Sequence, residues 1–96
     1  LLNLKKLDLY NNYIKECNVV ANLLNLESLH LLDNEIVILP NEIKNLTKLK
    51  ELDLGFNKIT SLPIEIGNLT NLEILSLCDN PIQFPSQHII KYNDLF

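Results

Sequence analysis

The chain has 96 residues, 47% of them hydrophobic, and its 8 cationic side chains are outnumbered by 12 acidic ones, for a formal net charge of −4. All the cations are lysines, so there is no arginine to make bidentate contacts with phosphate. Nucleic acid is therefore not an expected partner. The length predicts one structural unit, and no apolar run approaches the ~20 residues that a membrane-spanning helix needs.

The two cysteines, Cys17 and Cys78, lie far apart and do not form the dense pattern of a secreted disulfide framework. The chain begins at Leu1 with neither an initiator methionine nor the basic and apolar segments of a secretory signal. These features favour a reducing, cytoplasmic location. Because the motif LLNL at 1–4 returns at 23–26, just before the next unit, we expect further repeats upstream of the chain.

A pattern of leucines recurs along the chain, and a fixed period of this length decides the architecture. Four copies of L-x-x-L-x-L-x-x-N begin at residues 4, 26, 49 and 72, spaced by 22, 23 and 23 residues. In each copy two leucines flank one residue, and this alternation indicates a short strand with its leucines inward. The four predicted strands are 7–9, 29–31, 52–54 and 75–77. They are expected to stack in parallel, because a crossover segment returns the chain between them.

Each predicted strand is followed by an asparagine at the point where the chain leaves the sheet. A buried amide can both donate and accept hydrogen bonds, and so satisfy backbone groups that would otherwise be buried without partners. We interpret these asparagines as a structural ladder that joins adjacent turns of the chain. Its members are Asn12, Asn34, Asn57 and Asn80.

The repeat resembles the leucine-rich repeat family over residues 1–96. The returns at 39–46 and 62–69, which read L-P-x-x-I-x-x-L, resemble its intracellular Ras-suppressor-like subclass. The resemblance implies an α/β fold, a solenoid in the form of a horseshoe arc. Its concave face is a parallel β-sheet, and its convex segments are short helical, 3-10 or irregular. The resemblance also implies a protein partner, such as a small GTPase or a phosphatase.

Two segments depart from the repeat. The first return, 17–23, is one residue shorter than the others, lacks their proline, and has Cys17 where they have Leu39 and Leu62. We therefore expect a more helical turn in this return. Residues 82–96 contain no further strand pattern and are predicted to cap the last coil, with a short helix that the apolar spacing of residues 86–96 favours.

Side chains that point away from the core should form rows on the concave face, about 4.8 Å apart from strand to strand. The rows are Lys6, Ser28, Glu51 and Ile74, then Asp8, His30, Asp53 and Ser76, then Tyr10, Leu32, Gly55 and Cys78, with Phe56 just beyond. Binding surfaces of solenoids lie on this face. We predict that all of these residues except Gly55 and Cys78 bind the partner.

The second row contains an Asp, a His and a Ser, which are the residue types of a catalytic triad. However, Asp53 separates His30 from Ser76 by two strand spacings, about 10 Å, so the hydroxyl and the imidazole cannot meet. We predict no enzyme activity. A metal between Asp8, His30 and Asp53 is disfavoured because parallel side chains converge poorly, and no cofactor is predicted. The two acids instead favour the protonated imidazole of His30.

Four large apolar side chains, Tyr10, Leu32, Phe56 and Ile74, lie where the fold requires nothing hydrophobic. Exposed aromatic residues among polar ones are where binding energy concentrates. The sequence therefore predicts a protein–protein interaction module, and the resemblance implies that it is a scaffold or adaptor in signal transduction. Two alternatives stay open. One is a regulatory or targeting segment of a multidomain enzyme such as a kinase, phosphatase or GTPase. The other is an extracellular recognition domain, in which the N-L-T sequons at 45–47 and 68–70 would be glycosylation sites.

Overall fold

The computed structural model describes residues 3–82 as a solenoid of short strands and 3-10 helices, which confirms the predicted fold class. The strands are β1 (Lys6–Asp8), β2 (Ser28–His30), β3 (Glu51–Asp53) and β4 (Ile74–Ser76). Each begins one residue earlier than the leucine pattern predicts. The 3-10 helices are η1 (Asn18–Asn22), η2 (Asn41–Asn45) and η3 (Ile64–Asn68). Of the predicted cap at 82–96, all but the first residue lies outside the described residues.

The four strands form one parallel sheet in the order β1-β2-β3-β4. The register aligns equivalent residues of successive repeats, so that Leu7 lies beside Leu29 and Leu52 beside Leu75. Because each repeat returns to the same place in the next coil, every side-chain position of the pattern forms a straight row across the sheet. No helix in the stretch 3–82 is long and apolar enough to cross a membrane.

The core lies between the sheet and the 3-10 helices. Leu29 and Leu52 point inward from the strands and Ile43 and Ile66 point inward from the returns, all with 0% exposure. Burial of a side chain of this size contributes about 1.5–3 kcal/mol. The repeated leucines and isoleucines are therefore sufficient to explain why the chain winds into stacked coils.

The three returns form 3-10 helices of the same length although their sequences differ. Pro40 and Pro63 precede η2 and η3 with φ of −70° and −66°, which the proline ring favours. Cys17, which the sequence pattern aligns with Leu39, instead takes this place before η1, with φ of −124° and ψ of 28°, and its carbonyl accepts the Val20 N–H at 3.1 Å. The expectation of a more helical first return is wrong. The first repeat is shorter because the segment between Asn12 and η1 has one residue fewer than the corresponding segments of the next two coils. The helix η1 itself has 5 residues, like η2 and η3.

Asn34, Asn57 and Asn80 of the ladder hydrogen-bond to the backbone of two coils at once, whereas Asn12 is exposed and donates to the Tyr10 carbonyl of its own coil at 3.1 Å. The Asn57 amide donates to the carbonyls of Leu31, in the preceding coil, and Leu54, in its own, both at 3.0 Å, and its Oδ1 accepts the Ile36 N–H at 3.0 Å. Asn34 does the same one coil earlier. Such bonds fix the spacing of the coils where the chain leaves the sheet and has no strand partner.

Candidate functional site

The strand register lines up the concave side chains from coil to coil. Lys6, Ser28, Glu51 and Ile74 lie side by side, and so do Asp8, His30, Asp53 and Ser76. The third predicted row lies beyond the strand ends, where hydrogen bonds continue between coils. There the Asn11 N–H donates to the Leu32 carbonyl at 3.0 Å, and the Phe56 N–H to the Cys78 carbonyl at 2.8 Å. The backbone under this row is therefore fixed as well.

His30 is paired with a residue of the neighbouring row. Its Nε2 lies 3.2 Å from Oε2 of Glu51, and the Ser28 hydroxyl donates to the same oxygen at 3.4 Å. Asp8 and Asp53 flank His30 in its own row, but one oxygen of each accepts the backbone N–H two residues further on, at 3.1 and 3.0 Å. The acid that contacts His30 is thus Glu51, whereas local turns hold Asp8 and Asp53 along their own coils.

The Asp, His and Ser of the second row do not assemble a triad. β3 lies between His30 and Ser76, and the Ser76 hydroxyl points to Cys78 Sγ at 3.9 Å. The His30 Nε2, which would have to accept the serine proton, faces Glu51 instead. The first and second rows together are therefore a polar surface, in which Lys6, Asp8, Ser28, His30 and Glu51 border an open depression of about 330 Å³.

An apolar depression lies next to this polar surface. Tyr10, Leu32, Asp33 and Phe56 line an open volume of about 260 Å³. Tyr10 is 55% and Phe56 52% exposed. We call Tyr10, Leu32 and Phe56 the apolar platform. Ile74, the fourth apolar residue that the sequence singles out, is also exposed, but it lies in the first row on β4 and does not line this depression.

Gly55 provides the space into which Leu32 leans. A Cβ atom at this position would come within 2.9 Å of both Leu32 Cδ1 and Cys78 Sγ, a separation that real Cβ atoms essentially never show. A larger residue would therefore push Leu32 away from its place in the platform. The sequence prediction left Gly55 out of the binding residues, and only the packing between coils reveals its role.

Phe56 has a backbone conformation that its side chain disfavours. Its φ is 54°, and the equivalent residues of the other coils, Asn11, Asp33 and Asp79, have φ of 57°, 58° and 57°. Asn and Asp tolerate this left-handed region, whereas for a bulky residue it is an outlier that costs about 1–3 kcal/mol. The sequence signal was present, since three of four copies carry Asn or Asp here and one carries an aromatic residue. Strain of this kind tends to persist where a side chain has a function.

The carboxylates around the platform outnumber the cations. Asp33 lines the depression, and Asp8 and Asp53 are anchored to the backbone of Tyr10 and Gly55 beside it. Lys6, the only cation among the predicted binding residues, is at the opposite end of β1 from Tyr10. The surface thus combines exposed aromatic groups with fixed negative charges.

Stacked parallel strands, 3-10 returns, a ladder of asparagines and an open concave face define a solenoid repeat protein. The family model described as Leucine Rich repeats (2 copies) matches residues 25–65 and 47–87, and the model described as Leucine Rich Repeat matches residues 3–23. The chain belongs to the leucine-rich repeat family. Leucine-rich repeats are in general protein–protein interaction modules, and the matches indicate no catalytic family.

Solved structures of two bacterial proteins are similar to this chain. A leucine-rich repeat protein of Leptospira interrogans has a TM-score of 0.85 and 42% identity over 90% of this chain and 22% of that chain. An internalin of Listeria monocytogenes has a TM-score of 0.78 and 29% identity over 97% of this chain and 27% of that chain. The chain thus spans about a quarter of the length of these proteins. Comparison with curated proteins finds no match.

Proposed function

We propose that the concave face binds another protein and that the chain serves as a scaffold or adaptor module in signalling. The observation that carries this proposal is the apolar platform, whose two aromatic rings are more than half exposed among charged side chains. Residues of this kind account for most of the affinity of typical interfaces. The proposed binding residues are Lys6, Asp8, Tyr10, Ser28, His30, Leu32, Glu51, Asp53, Phe56, Ile74 and Ser76.

The kind of partner and the location belong to the same proposal. The L-P-x-x-I-x-x-L returns at 39–46 and 62–69 support a place in the Ras-suppressor-like subclass, and with it a signalling partner such as a small GTPase or a phosphatase. Cys17 and Cys78 are both free, and Cys78 is partly exposed. Free thiols support a reducing, cytoplasmic location.

The proposal is tested by capture of partners with a concave variant and a convex one. Tyr10→Ala with Phe56→Asn removes both rings of the platform, and Val19→Ser with Ile64→Ser removes two exposed apolar side chains from η1 and η3. We expect proteins, identified by mass spectrometry, that bind the unchanged protein and the convex variant but not the concave one. Equal capture by all three would move the binding site away from the concave face.

A second candidate, extracellular recognition, is favoured by the position of the two sequons. Asn45 and Asn68 are exposed at the ends of η2 and η3, while Leu46 and Leu69 between them and the threonines are buried. Each asparagine side chain could carry a glycan without disturbing the core. The intact mass of the protein from its natural source distinguishes the two candidates. An unmodified mass fits the cytoplasmic proposal, and glycan mass at Asn45 or Asn68 contradicts it.

A further inference from the structure

The size of the apolar depression indicates what it can receive. Its volume of about 260 Å³ lies just below the range of small-molecule sites, roughly 300–1,000 Å³, and it is open on the concave side. Tyr10 and Phe56 come from the first and third coils, and Leu32 lies between them on the second. A single large apolar side chain of a partner would touch all three coils at once.

The charges at the rim indicate what accompanies that side chain. Asp33 lines the depression, and Asp8 and Asp53 each use one carboxylate oxygen for a backbone N–H of the same turn. The second oxygen of each is left for a partner, and the turn fixes its position in advance. The cation nearest in sequence, Lys58, is exposed two residues after Phe56 and does not line the depression. Complementary charge in a partner is therefore positive.

Building on the proposed function, we infer that the platform receives a protein segment in which a large apolar or aromatic side chain lies next to a lysine or arginine. The apolar side chain packs between Tyr10, Leu32 and Phe56. The cation pairs with the carboxylates of Asp33 and Asp53. The inference names the chemistry of the bound segment, which the proposed function leaves open.

The test is selection of random dodecapeptides displayed on phage, followed by measurement of the affinity of the enriched peptides as synthetic compounds. We expect enriched peptides to carry Phe, Tyr, Trp or Leu beside Lys or Arg. Asp33→Asn with Asp53→Asn should weaken their binding roughly tenfold, because two charges are lost while an amide oxygen at position 53 can still accept the Gly55 N–H. Phe56→Asn should weaken it at least as much.

The matched control is Glu42→Gln with Glu65→Gln, which removes the same charge from η2 and η3. It should change affinity by less than roughly twofold, since distant exposed charges are screened. Circular dichroism of each variant verifies that it is folded. Peptides that require Phe56 but carry no cation, or that bind the double Asn variant as tightly as the unchanged protein, overturn the inference and leave the proposed function standing. Peptides indifferent to Phe56→Asn and Tyr10→Ala overturn both, and a failure to enrich any peptide overturns the inference alone.

Discussion

At the scale of single residues, Phe56 combines backbone strain with exposure of its ring. The ring gains little from burial, since about half of it faces solvent, yet the backbone has φ of 54°. Replacement by Asn, the residue at this position of the first coil, should relieve the strain. We expect Phe56→Asn to raise the free energy of unfolding by about 1 kcal/mol, measured by urea denaturation. The reverse change in the second coil, Asp33→Phe, should lower it by a similar amount. A loss of stability in Phe56→Asn would mean that the ring stabilises the fold.

Cys17 gives the stability of the chain a dependence on alkaline pH. Burial raises the pKa of its thiol to about 11 from an ordinary value of 9.0, and a backbone hydrogen bond opposes part of the shift. Below pH 9.0 the thiol is neutral in both states. Between pH 9.0 and about 11 the unfolded chain loses the proton first, which favours unfolding. Stability should therefore fall over this range.

The measurement is the free energy of unfolding at a series of pH values for the unchanged chain and for Cys17→Ala. The variant is less stable at neutral pH, because a buried side chain is shortened. Its stability should fall less steeply above pH 9.0, since the two proteins differ only in this thiol. If the free energy of unfolding falls equally with pH in both proteins, the pH dependence does not come from Cys17.

At the scale of elements, the asparagine ladder connects coils where the sheet does not. Asn57 is buried and makes hydrogen bonds to backbone groups of Leu31, Ile36 and Leu54. Asn57→Ala leaves the Ile36 N–H without a partner, while the Leu31 and Leu54 carbonyls each keep a second ladder amide. A buried group without a partner costs about 1–3 kcal/mol, so we expect a loss of roughly 1–3 kcal/mol in the free energy of unfolding. The control is Asn41→Ala in η2, an exposed position where the loss should be below about 0.5 kcal/mol. Similar losses at both positions would show that the ladder does not carry the stability.

The returns show how one element forms from different sequences. Pro40 and Cys17 share no chemistry, yet each precedes a 3-10 helix of 5 residues. What the returns have in common is a buried aliphatic residue, Val20 or Ile43, whose N–H donates to the residue before the helix at 3.1 Å. Packing of this side chain against the core, and not the proline, is the shared cause of the turn.

At the scale of the whole molecule, each coil of a solenoid contacts only its neighbours, so the effect of a substitution depends on the position of its coil. Leu52 lies on β3, between β2 and β4, and is 0% exposed. Leu7 holds the equivalent place on β1, which within residues 3–82 is paired only with β2, and is partly buried. In the 96-residue chain, Leu52→Ala should cost about 2–5 kcal/mol and Leu7→Ala roughly half as much or less, measured by urea denaturation. Equal losses would mean that the coils unfold independently of their neighbours.

The sequence by itself determines the repeat, the parallel order of the strands and the identity of the buried residues. These features follow from local spacing, because the same residue types recur every 22 or 23 positions and must meet when the coils stack. Even so, the strands begin one residue earlier than predicted, since the backbone hydrogen bonds, not the leucines, define their ends.

Only the tertiary structure decides which surface residues act together. The pairing of His30 with Glu51, the gap that Gly55 leaves for Leu32, and the separation of Ile74 from the apolar platform are absent from the pattern. They depend on which rotamers and backbone angles bring side chains of adjacent coils into contact. Those contacts join residues more than 20 positions apart. The repeat determines which residues lie next to each other, but not how their side chains are oriented.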